Sequence, residues 1–492
     1  MTFPSIPFTL FSPSTPFGPF QPLHEYTITH AAPLSWDNWY HLFVIPLIPL
    51  YIQAVLLRYE GTRYYRVAVG VLGICLLSRA VVSYRFTQPW FNALNNGIGI
   101  GVMHLIARYL EFAFIEGPLL DRYFEAKGRH PLIGALDITI NARWIGLGAI
   151  DLDHRGKVDP GHVHLNGNAP RNGHISPSKD DTDVVDGGLE FQNTHRTIPN
   201  MDDRAKESWL PWPKVRRTKS QAVVRHFYLA IRNYIIFDTC LYLIRYYGSN
   251  TIGADHPVPN ALYRFSHENT FLILPFLSRI SWIQEEWLVA PWYLVEIITE
   301  ISVASGVWLG ISSGYHLIGG ILVGTELWET ESWEVDLFDS PLCADSLLDL
   351  WGRRWHQFFR HHFILYSTLI LRLLHLPTSS GSVLFLSFVL SGLMHSIGQF
   401  TMNPHPPLLP IFLLFPSSGL GCFLEVSFKR MTGRKVGGAW GRIWAWIAML
   451  GIGRLGTRAW LESGVGGSYL TPPGAGEWVV RNVLEGWFIG KV

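Results

Sequence analysis

The feature that most constrains the fold is a series of long apolar stretches, separated by short polar or basic segments. The hydrocarbon core of a bilayer takes about 20 apolar residues per helix. The chain of 492 residues is 48% hydrophobic and only 16% charged, whereas soluble domains have about 25% charged residues. Because the apolar residues are also clustered along the chain, the sequence predicts an integral membrane protein.

These stretches predict an all-α polytopic membrane protein with about nine or ten transmembrane helices, plus a re-entrant or amphipathic helix, around an intramembrane chamber. Two of the stretches are predicted to join near Gly306. Residues 271–287 and 478–489 are expected to lie along the membrane interface. The predicted spans are residues 38–57, 64–83, 97–115, 226–247, 287–303, 307–327, 361–374, 382–400, 408–428 and 440–452.

The distribution of polar residues divides the chain into successive regions. Residues 1–37 are predicted to be an N-terminal extramembrane segment, and residues 38–148 to be the N-terminal membrane helices. Residues 149–221 are rich in Asp, His, Asn, Gly and Pro, and therefore predict a polar extramembrane loop. Residues 222–452 are the second membrane core, and residues 453–492 are predicted to be a C-terminal tail.

Charge and cysteine content argue against several classes of protein. The net charge is +1, and no basic tract is interleaved with aromatic residues, so we expect no nucleic-acid partner. The four cysteines are scattered and form no CxxC pair. The sequence therefore predicts neither a disulfide framework nor a cysteine-based metal site.

The run DLWGRRWHQFFR, which begins at Asp349, is too polar to face lipid and too apolar for a free loop. It predicts an amphipathic or re-entrant helix. On such a helix Asp349, Arg353 and His356 lie near one face, and Trp351 and Trp355 share another. The alternative is an interfacial helix that anchors Arg and Trp side chains at the lipid headgroups.

A second histidine, His395, lies at the end of the apolar run that begins at Phe388. Ser391 and Gly392 are small, so a neighbouring helix or a ligand can approach closely at one turn before the imidazole. Ionisable residues at membrane depth are costly and usually functional. The alternative is a tight helix crossing in which the imidazole bonds a facing carbonyl.

Two other classes of function stay open. His356, His361 and His362 resemble the histidine boxes of membrane di-iron oxygenases, but four residues separate His356 from His361, one more than those boxes have. Five helical steps place His361 about 140° away from the face of His356. We therefore favour catalysis by a general base and predict no metal site. A transporter would show paired broken helices, whereas the sequence predicts one re-entrant segment.

Four segments resemble the wax-synthase-like branch of the membrane-bound O-acyltransferases. Residues 346–357, SLLDLWGRRWHQ, are similar to that branch's SLRDFWGRRWHQ signature, although Leu348 stands where a basic residue is common. Residues 388–395 match its FxxSGxxH segment, and residues 425–438 match its stretch ending in TGRRVGG. Residues 141–148, NARWIGLG, are a looser match to N-x-R-G-I-G-W.

The resemblance implies an all-helical bundle whose chamber is reached from the cytosolic side, with the catalytic membrane core in residues 222–452. Members transfer an acyl group from acyl-CoA to a hydroxyl. Plant members make wax esters, and fungal members acetylate terpenoid or meroterpenoid alcohols in secondary metabolism. The long polar insertion at residues 149–221 resembles the fungal type. Expected partners are the lipid bilayer, acyl-CoA as cosubstrate (acetyl-CoA by preference) and a lipophilic alcohol, with no bound cofactor, in the endoplasmic reticulum.

The resemblance also implies roles for individual residues. His395 corresponds to the family's invariant histidine, which we expect to act as general base. His356 corresponds to the second functional position and would position the acyl group or stabilise the oxyanion. The residues expected to bind substrate are Trp351, Arg353, Arg354, Trp355, Gln357, Ser391 and Gly392. The basic residues expected to hold coenzyme A are Lys429, Arg430, Arg434 and Lys435.

Overall fold

The computed structural model describes residues 16–148 and 217–491, apart from positions 116, 122, 123, 126, 146 and 473. Most of the predicted polar loop at 149–221 and part of the segment at 1–37 therefore lie outside the described residues. In chain order, the α-helices are α1 (Gln21–His30), α2 (Trp39–Phe43), α3 (Leu47–Leu56), α4 (Arg63–Ser83), α5 (Asn92–Phe114), α6 (Pro131–Ile140), α7 (Lys219–Tyr247), α8 (Ala261–His267), α9 (Trp292–Gly324), α10 (Thr330–Trp333), α11 (Leu347–Asp349), α12 (Arg360–Leu373), α13 (Ser380–Ile397), α14 (Leu408–Thr432), α15 (Gly438–Glu462) and α16 (Ala475–Val479).

Strands are short and occur in pairs. In these pairs β1 (Ala32–Pro33) is parallel to β2 (Tyr84–Arg85), β3 (Leu120–Asp121) is antiparallel to β4 (Leu147–Gly148), and β5 (Phe271–Ile273) is antiparallel to β6 (Ile489–Lys491).

Among the described residues, 6 helices are long and apolar enough to cross a membrane. This finding confirms the helical, polytopic class, while a count of about nine or ten spans stays a prediction. Several of the predicted spans agree with these helices to within a few residues. The candidate spans are Arg63–Ser83, Pro89–Phe114, Lys219–Tyr247, Trp292–Gly324, Ser380–Thr401 and Leu408–Thr432.

The predicted junction near Gly306 is wrong, because α9 is one continuous helix of 33 residues. Gly306 and Gly310 face Phe237 of α7, and a Cβ built on Gly310 would lie 3.0 Å from that ring. The glycines therefore let the two long helices pack closely. A lone glycine lowers helix propensity by about 1 kcal/mol and does not by itself end a helix.

The apolar stretch at residues 38–57 also differs from the prediction, because its helix is interrupted. α2 ends at Phe43, and α3 begins at Leu47 after Pro46. Proline lacks a backbone N–H and restricts the residue before it, so a helix that reaches proline from the N-terminal side usually ends there.

The segments expected along the interface are not long helices. Residues 271–287 contain β5 and short 3₁₀ turns, and residues 478–489 contain the end of α16, a π-helical turn and the start of β6. α15 continues to Glu462, ten residues beyond the predicted boundary at 452, so the start of the predicted tail is helical. The backbone N–H of Gly476 donates to the buried Asp238 carboxylate of α7 over 2.8 Å. The C-terminal segment is thus hydrogen-bonded to α7.

Local sequence accounts for several helix ends. Thr218 and Gln221 form a capping box at the start of α7, where each side chain accepts the other residue's backbone N–H. Gly433 has a φ of 70° and ends α14 in the left-handed region, which favours glycine.

A buried polar network joins the N-terminal helices to the second core. Arg108 and Glu111 of α5 form an ion pair of 3.2 Å, with both side chains 1% exposed. Arg108 also donates to the carbonyl of Ile138 in α6 over 2.5 Å. His361 at the start of α12 bonds Glu111 over 2.6 Å. Because the Glu111 carboxylate bonds both Arg108 of α5 and His361 of α12, it holds α12 beside α5.

Candidate active site

The WGRRWHQ segment is not the single amphipathic helix that the sequence predicts. α11 is followed directly by a π-helical turn, Leu350–Arg354, and the helix ends at Trp355. Helical structure resumes only at Arg360. His356 therefore lies in a non-helical link and does not share a helical face with Asp349, which corrects the predicted arrangement.

Tertiary hydrogen bonds explain where this helix ends. The N–H of Trp355 donates to the carbonyl of Leu350, five residues back, over 2.7 Å. The Arg354 carbonyl accepts the backbone N–H of Asp339 over 2.9 Å. The Trp355 carbonyl accepts Nε2 of Gln357 over 2.6 Å. These carbonyls bond partners outside the α-helical pattern, so the chain turns away at His356.

Glu425 of α14 fixes the start of α11. Its carboxylate accepts the backbone N–H groups of Leu347 over 2.7 Å and of Leu348 over 3.0 Å. Trp444 of α15 donates its indole N–H to the same carboxylate over 2.8 Å. A carboxylate at a helix N-terminus satisfies free N–H groups and favours the helix dipole. The segment that carries His356 is thereby tied to two other helices.

His395 lies on the inner side of α13, where its ring stacks on Phe415 of α14 with centroids 4.2 Å apart. Its Nδ1 lies 2.8 Å from the carbonyl oxygen of Ser391. A carbonyl only accepts, so this bond assigns the proton to Nδ1 and leaves Nε2 as the basic nitrogen. Nε2 of the half-buried ring is therefore free of the proton and can accept one.

His356 is enclosed by aromatic rings. Its centroid lies 5.5 Å from Phe338 and 5.6 Å from Phe359, both edge-on. Its Nδ1 is buried without a hydrogen-bond partner in the part of the chain that the structure describes. Burial, and in second place the nearby imidazole of His395, hold the pKa of His356 at about 3. The ring of His356 also contacts Trp355, which contacts Trp351, and Trp351 in turn lies against the Phe415 ring that stacks on His395.

Trp351 connects the walls around the two histidines. Its ring lies 5.7 Å from Trp355, 6.0 Å from Phe388 of α13 and 6.2 Å from Phe415 of α14. Its indole N–H is buried and has no hydrogen-bond partner among the described residues. Indole nitrogen is a donor only, so this group can serve an oxygen atom inside the enclosure.

Both predicted substrate-binding arginines have structural partners. Arg353 lies 2.9 Å from Asp349 and 3.3 Å from Asp339. Arg354 also pairs with Asp349 and donates to the Asp339 carbonyl over 3.0 Å. Burial raises the pKa of the Asp349 carboxyl, but hydrogen bonds from Arg354 and Arg353 outweigh this and hold the pKa below its ordinary value. The arginines stabilise the turn, and their contact with substrate stays a prediction.

The remaining predicted substrate residues have distinct positions. Gln357 is buried, and its amide oxygen accepts from Arg360 over 3.3 Å. Ser391 orients His395 through its carbonyl oxygen. At Gly392 a built Cβ would lie 2.7 Å from the Phe412 carbonyl oxygen of α14. The small residues therefore allow a close helix crossing, and direct contact of Ser391 or Gln357 with a ligand stays a prediction.

The basic residues predicted to hold coenzyme A are exposed at the end of α14 and in the turn that follows. They begin at Lys429, one helical turn after Glu425. Because Glu425 binds the start of α11, this basic turn lies beside the segment that leads to His356. The cluster comprises Lys429, Arg430, Arg434 and Lys435.

His361 and His362 do not join His356 in one cluster. His361 bonds Glu111 and stacks on Trp144 with centroids 4.4 Å apart. His362 stacks on His104 of α5. Within residues 16–148 and 217–491, as far as they are described, no group of 3 or more His, Cys, Asp and Glu side chains is placed to hold a metal ion.

Phe415 and the role of Glu425 were missed from the sequence. Phe415 is one of many apolar residues in a predicted span, and nothing local distinguishes it. Glu425 carried a signal, because an isolated carboxylate within an apolar run needs a buried partner. Its partners are backbone N–H groups almost 80 residues away in sequence, which no periodicity identifies.

Two comparisons with known proteins give a match. The sequence model of the family described as "Membrane bound O-acyl transferase family" matches residues 333–416, which include His356 and His395. The "Probable long-chain-alcohol O-fatty-acyltransferase 1" of Arabidopsis thaliana is 29% identical over 106 residues, which are 19% of this chain and 29% of that relative. No solved structure matches the chain. Together the two matches support the membrane-bound O-acyltransferase superfamily, in its wax-synthase-like part, as the one to which this core is similar.

Proposed function

We propose that this protein is an integral membrane O-acyltransferase that moves an acyl group from acyl-CoA to the hydroxyl of a lipophilic acceptor. The observation that carries the proposal is the continuous set of ring contacts that joins His356, through Trp355, Trp351 and Phe415, to His395. The tautomer of His395 leaves its Nε2 free to accept a proton. The matching family and the plant relative are both named for acyl transfer, which supports the reaction class.

The chemistry follows from these groups. Nε2 of His395 takes the proton of the acceptor hydroxyl while the oxygen attacks the thioester carbonyl carbon. General-base help of this kind is worth about 10²–10⁴-fold. The N–H groups of His356 and Trp351 donate to the developing oxyanion. The C–S bond then breaks, and the coenzyme A thiolate receives the proton from His395. An ester and free coenzyme A result, with no acyl-protein intermediate.

A membrane location suits the two substrates. A terpenoid or fatty alcohol partitions into the bilayer, whereas coenzyme A stays in water. The aromatic walls at Trp351, Phe388 and Phe415 exclude water, which would otherwise hydrolyse the thioester. For the finer assignment we propose acetyl-CoA as donor and a terpenoid or meroterpenoid alcohol as acceptor, in the endoplasmic reticulum, from the likeness to fungal members. The plant relative's name favours a second candidate, synthesis of wax esters from long-chain alcohols.

Acyl transfer in microsomes tests the proposal. His395→Ala should insert normally and lose about 10²-fold or more of the activity, since the general base is removed. His30→Ala, which removes an exposed imidazole from α1, is the matched control and should keep full activity. If His395→Ala is as active as the wild type, the assignment is wrong.

A panel of acyl donors separates the two candidates. Acetyl-CoA and palmitoyl-CoA are each offered with a sesquiterpene alcohol and with 1-hexadecanol, and the esters are detected by mass spectrometry. Preference for acetyl-CoA with the terpenoid supports the fungal type of reaction. Preference for palmitoyl-CoA with 1-hexadecanol supports wax-ester synthesis instead.

A further inference from the structure

A second pair of imidazoles, which the proposed reaction does not use, lies between α5 and α12. His104 and His362 stack with centroids 5.0 Å apart and ring planes 18° apart. His362 is only 3% exposed. Neither of its ring nitrogens has a hydrogen-bond partner among the described residues, and the same holds for Nδ1 of His104. An unpaired buried polar atom costs about 1–3 kcal/mol, so this pair is expensive as packing alone.

Neighbouring polar groups are already engaged elsewhere. Glu111 bonds His361 over 2.6 Å and pairs with Arg108. The Glu111 Oε2 atom, which pairs with Arg108, lies 3.9 Å from Nδ1 of His362, and this distance is too long for a hydrogen bond. Both ring nitrogens of His362 and Nδ1 of His104 are therefore available to a ligand.

The pair lies next to the chamber of the candidate active site. The ring of Phe359 contacts His356 on one side, with centroids 5.6 Å apart, and His104 on the other, with centroids 5.4 Å apart. One aromatic ring thus separates the reacting end of the chamber from His104 and His362.

Open space leads along α5 to the same pair. Gly97, Gly101 and His104 lie at intervals of four and three residues, and so share one helical face. A Cβ built on Gly97 or on Gly101 meets no atom within 4 Å. The face of α5 that carries His104 is therefore unpacked at both glycines.

We propose that His104 and His362 bind a second oxygen function of the acceptor, so that the substrate class is a lipophilic alcohol with two separated oxygen groups. A neutral imidazole offers one N–H donor and one acceptor nitrogen. A hydroxyl both donates and accepts, and matches this pair better than a hydrocarbon or a cation. This inference rests on the proposed function, because it assumes that the first hydroxyl reacts at His395.

Matched alcohols test the subsite. The purified full-length protein in detergent is assayed with acetyl-CoA and two ladders of probes, the 1-alkanols and the α,ω-alkanediols of equal length. At one chain length the diol should have a KM about twofold to tenfold lower than the alkanol, since it forms one further hydrogen bond. His362→Leu and His104→Leu should abolish that advantage, so that the KM for the diol rises to the KM for the alkanol.

The unpacked face of α5 at Gly101 supplies an independent pair of variants. Gly101→Leu should block access and raise the KM for the diol, while Gly101→Ala adds a methyl group where there is room and should change nothing. A purely structural imidazole pair would instead show lost thermal stability in His362→Leu, with the diol advantage intact.

Distinct results separate the failure of this inference from failure of the proposed function. Equal KM values for the alkanol and the diol at every chain length overturn the subsite. The space beside His104 and His362 then holds ordered water only. If the wild type acylates no alcohol, the proposed function fails. The shift in Tm of the detergent-purified protein with 1,8-octanediol against 1-octanol then decides the subsite, since a diol-specific shift that is lost in His362→Leu supports it and its absence overturns it.

Discussion

At the scale of single residues, the candidate site depends on which nitrogen of each ring is engaged. Ser391 fixes the proton of His395 on Nδ1 because the backbone carbonyl one turn earlier accepts it. His356 and Trp351 have buried nitrogens without partners in the described part of the chain. The sequence identified these three residues, but the free nitrogens follow only from the tertiary arrangement.

Trp351→Phe tests whether the free indole N–H stabilises the oxyanion. Phenylalanine keeps part of the apolar contact with Phe388 and Phe415 and removes the donor together with some ring volume. Loss of one oxyanion donor costs about 10²–10³-fold in kcat. We expect a fall in kcat of that order, with KM for acyl-CoA little changed, in steady-state assays of the purified enzyme.

Trp444→Phe is the matched control for this change. Its indole N–H already donates to Glu425, which keeps the Leu347 and Leu348 N–H groups as partners, so we expect a lower Tm and an unchanged kcat. An undiminished kcat in Trp351→Phe would show that the indole serves only as a wall of the chamber.

At the scale of elements, the sequence predicts uninterrupted helices well and interrupted ones poorly. α4 and α14 follow from long apolar runs whose ends carry polar or glycine residues. The link that carries His356 could not be predicted, because its helix ends where Asp339 and Gln357 bond the carbonyls of the last turn. Asp339 lies in the preceding loop and Gln357 lies beyond the helix end, so the hydrophobic periodicity of the run does not predict these bonds.

Gly392→Ala tests the close crossing of α13 and α14. A Cβ at this position would lie 2.7 Å from the carbonyl oxygen of Phe412, so the helices must move apart. Overpacking of this kind costs about 1–3 kcal/mol. The displacement also moves His395 away from Phe415, so we expect both a lower Tm and a lower kcat.

Gly381→Ala, on the same helix, is the control for the change in helix propensity. Its added methyl group would lie 3.5 Å from the Phe423 ring, an ordinary contact. We expect Tm and kcat at least equal to those of the wild type. Equal behaviour of the two alanine variants would contradict the crossing as described.

At the scale of the whole molecule, α14 joins two functions. Phe415 stacks on His395, the proposed general base, and Lys429 begins the basic turn at the end of the same helix. With a rise of 1.5 Å per residue, these positions are about 21 Å apart along the axis. A cosubstrate that uses both needs an anionic end and a reactive end joined by an extended arm. Coenzyme A thioesters have this form.

Replacing Lys429 and Arg430 by Gln tests this division of roles. Both side chains are exposed, so the change should leave the fold intact. Loss of two positive charges should raise the KM for acetyl-CoA several-fold with kcat unchanged, because the charges act on binding rather than on the reacting atoms. Exposed charges are screened by salt, so the difference from wild type should shrink as ionic strength rises.

The donor itself supplies the sharpest control for that prediction. Acetyl-pantetheine has the same thioester but lacks the nucleotide phosphates, so its KM should be identical in the wild type and in the double variant. Arg458 and Arg481 lie on other parts of the molecule, and their replacement by Gln removes equal charge. If that remote variant raises the KM for acetyl-CoA as much, general attraction rather than the basic turn holds the cosubstrate. An effect confined to Lys429 and Arg430, and to the donor with phosphates, places the anionic end at α14, with the thioester directed along that helix toward His395.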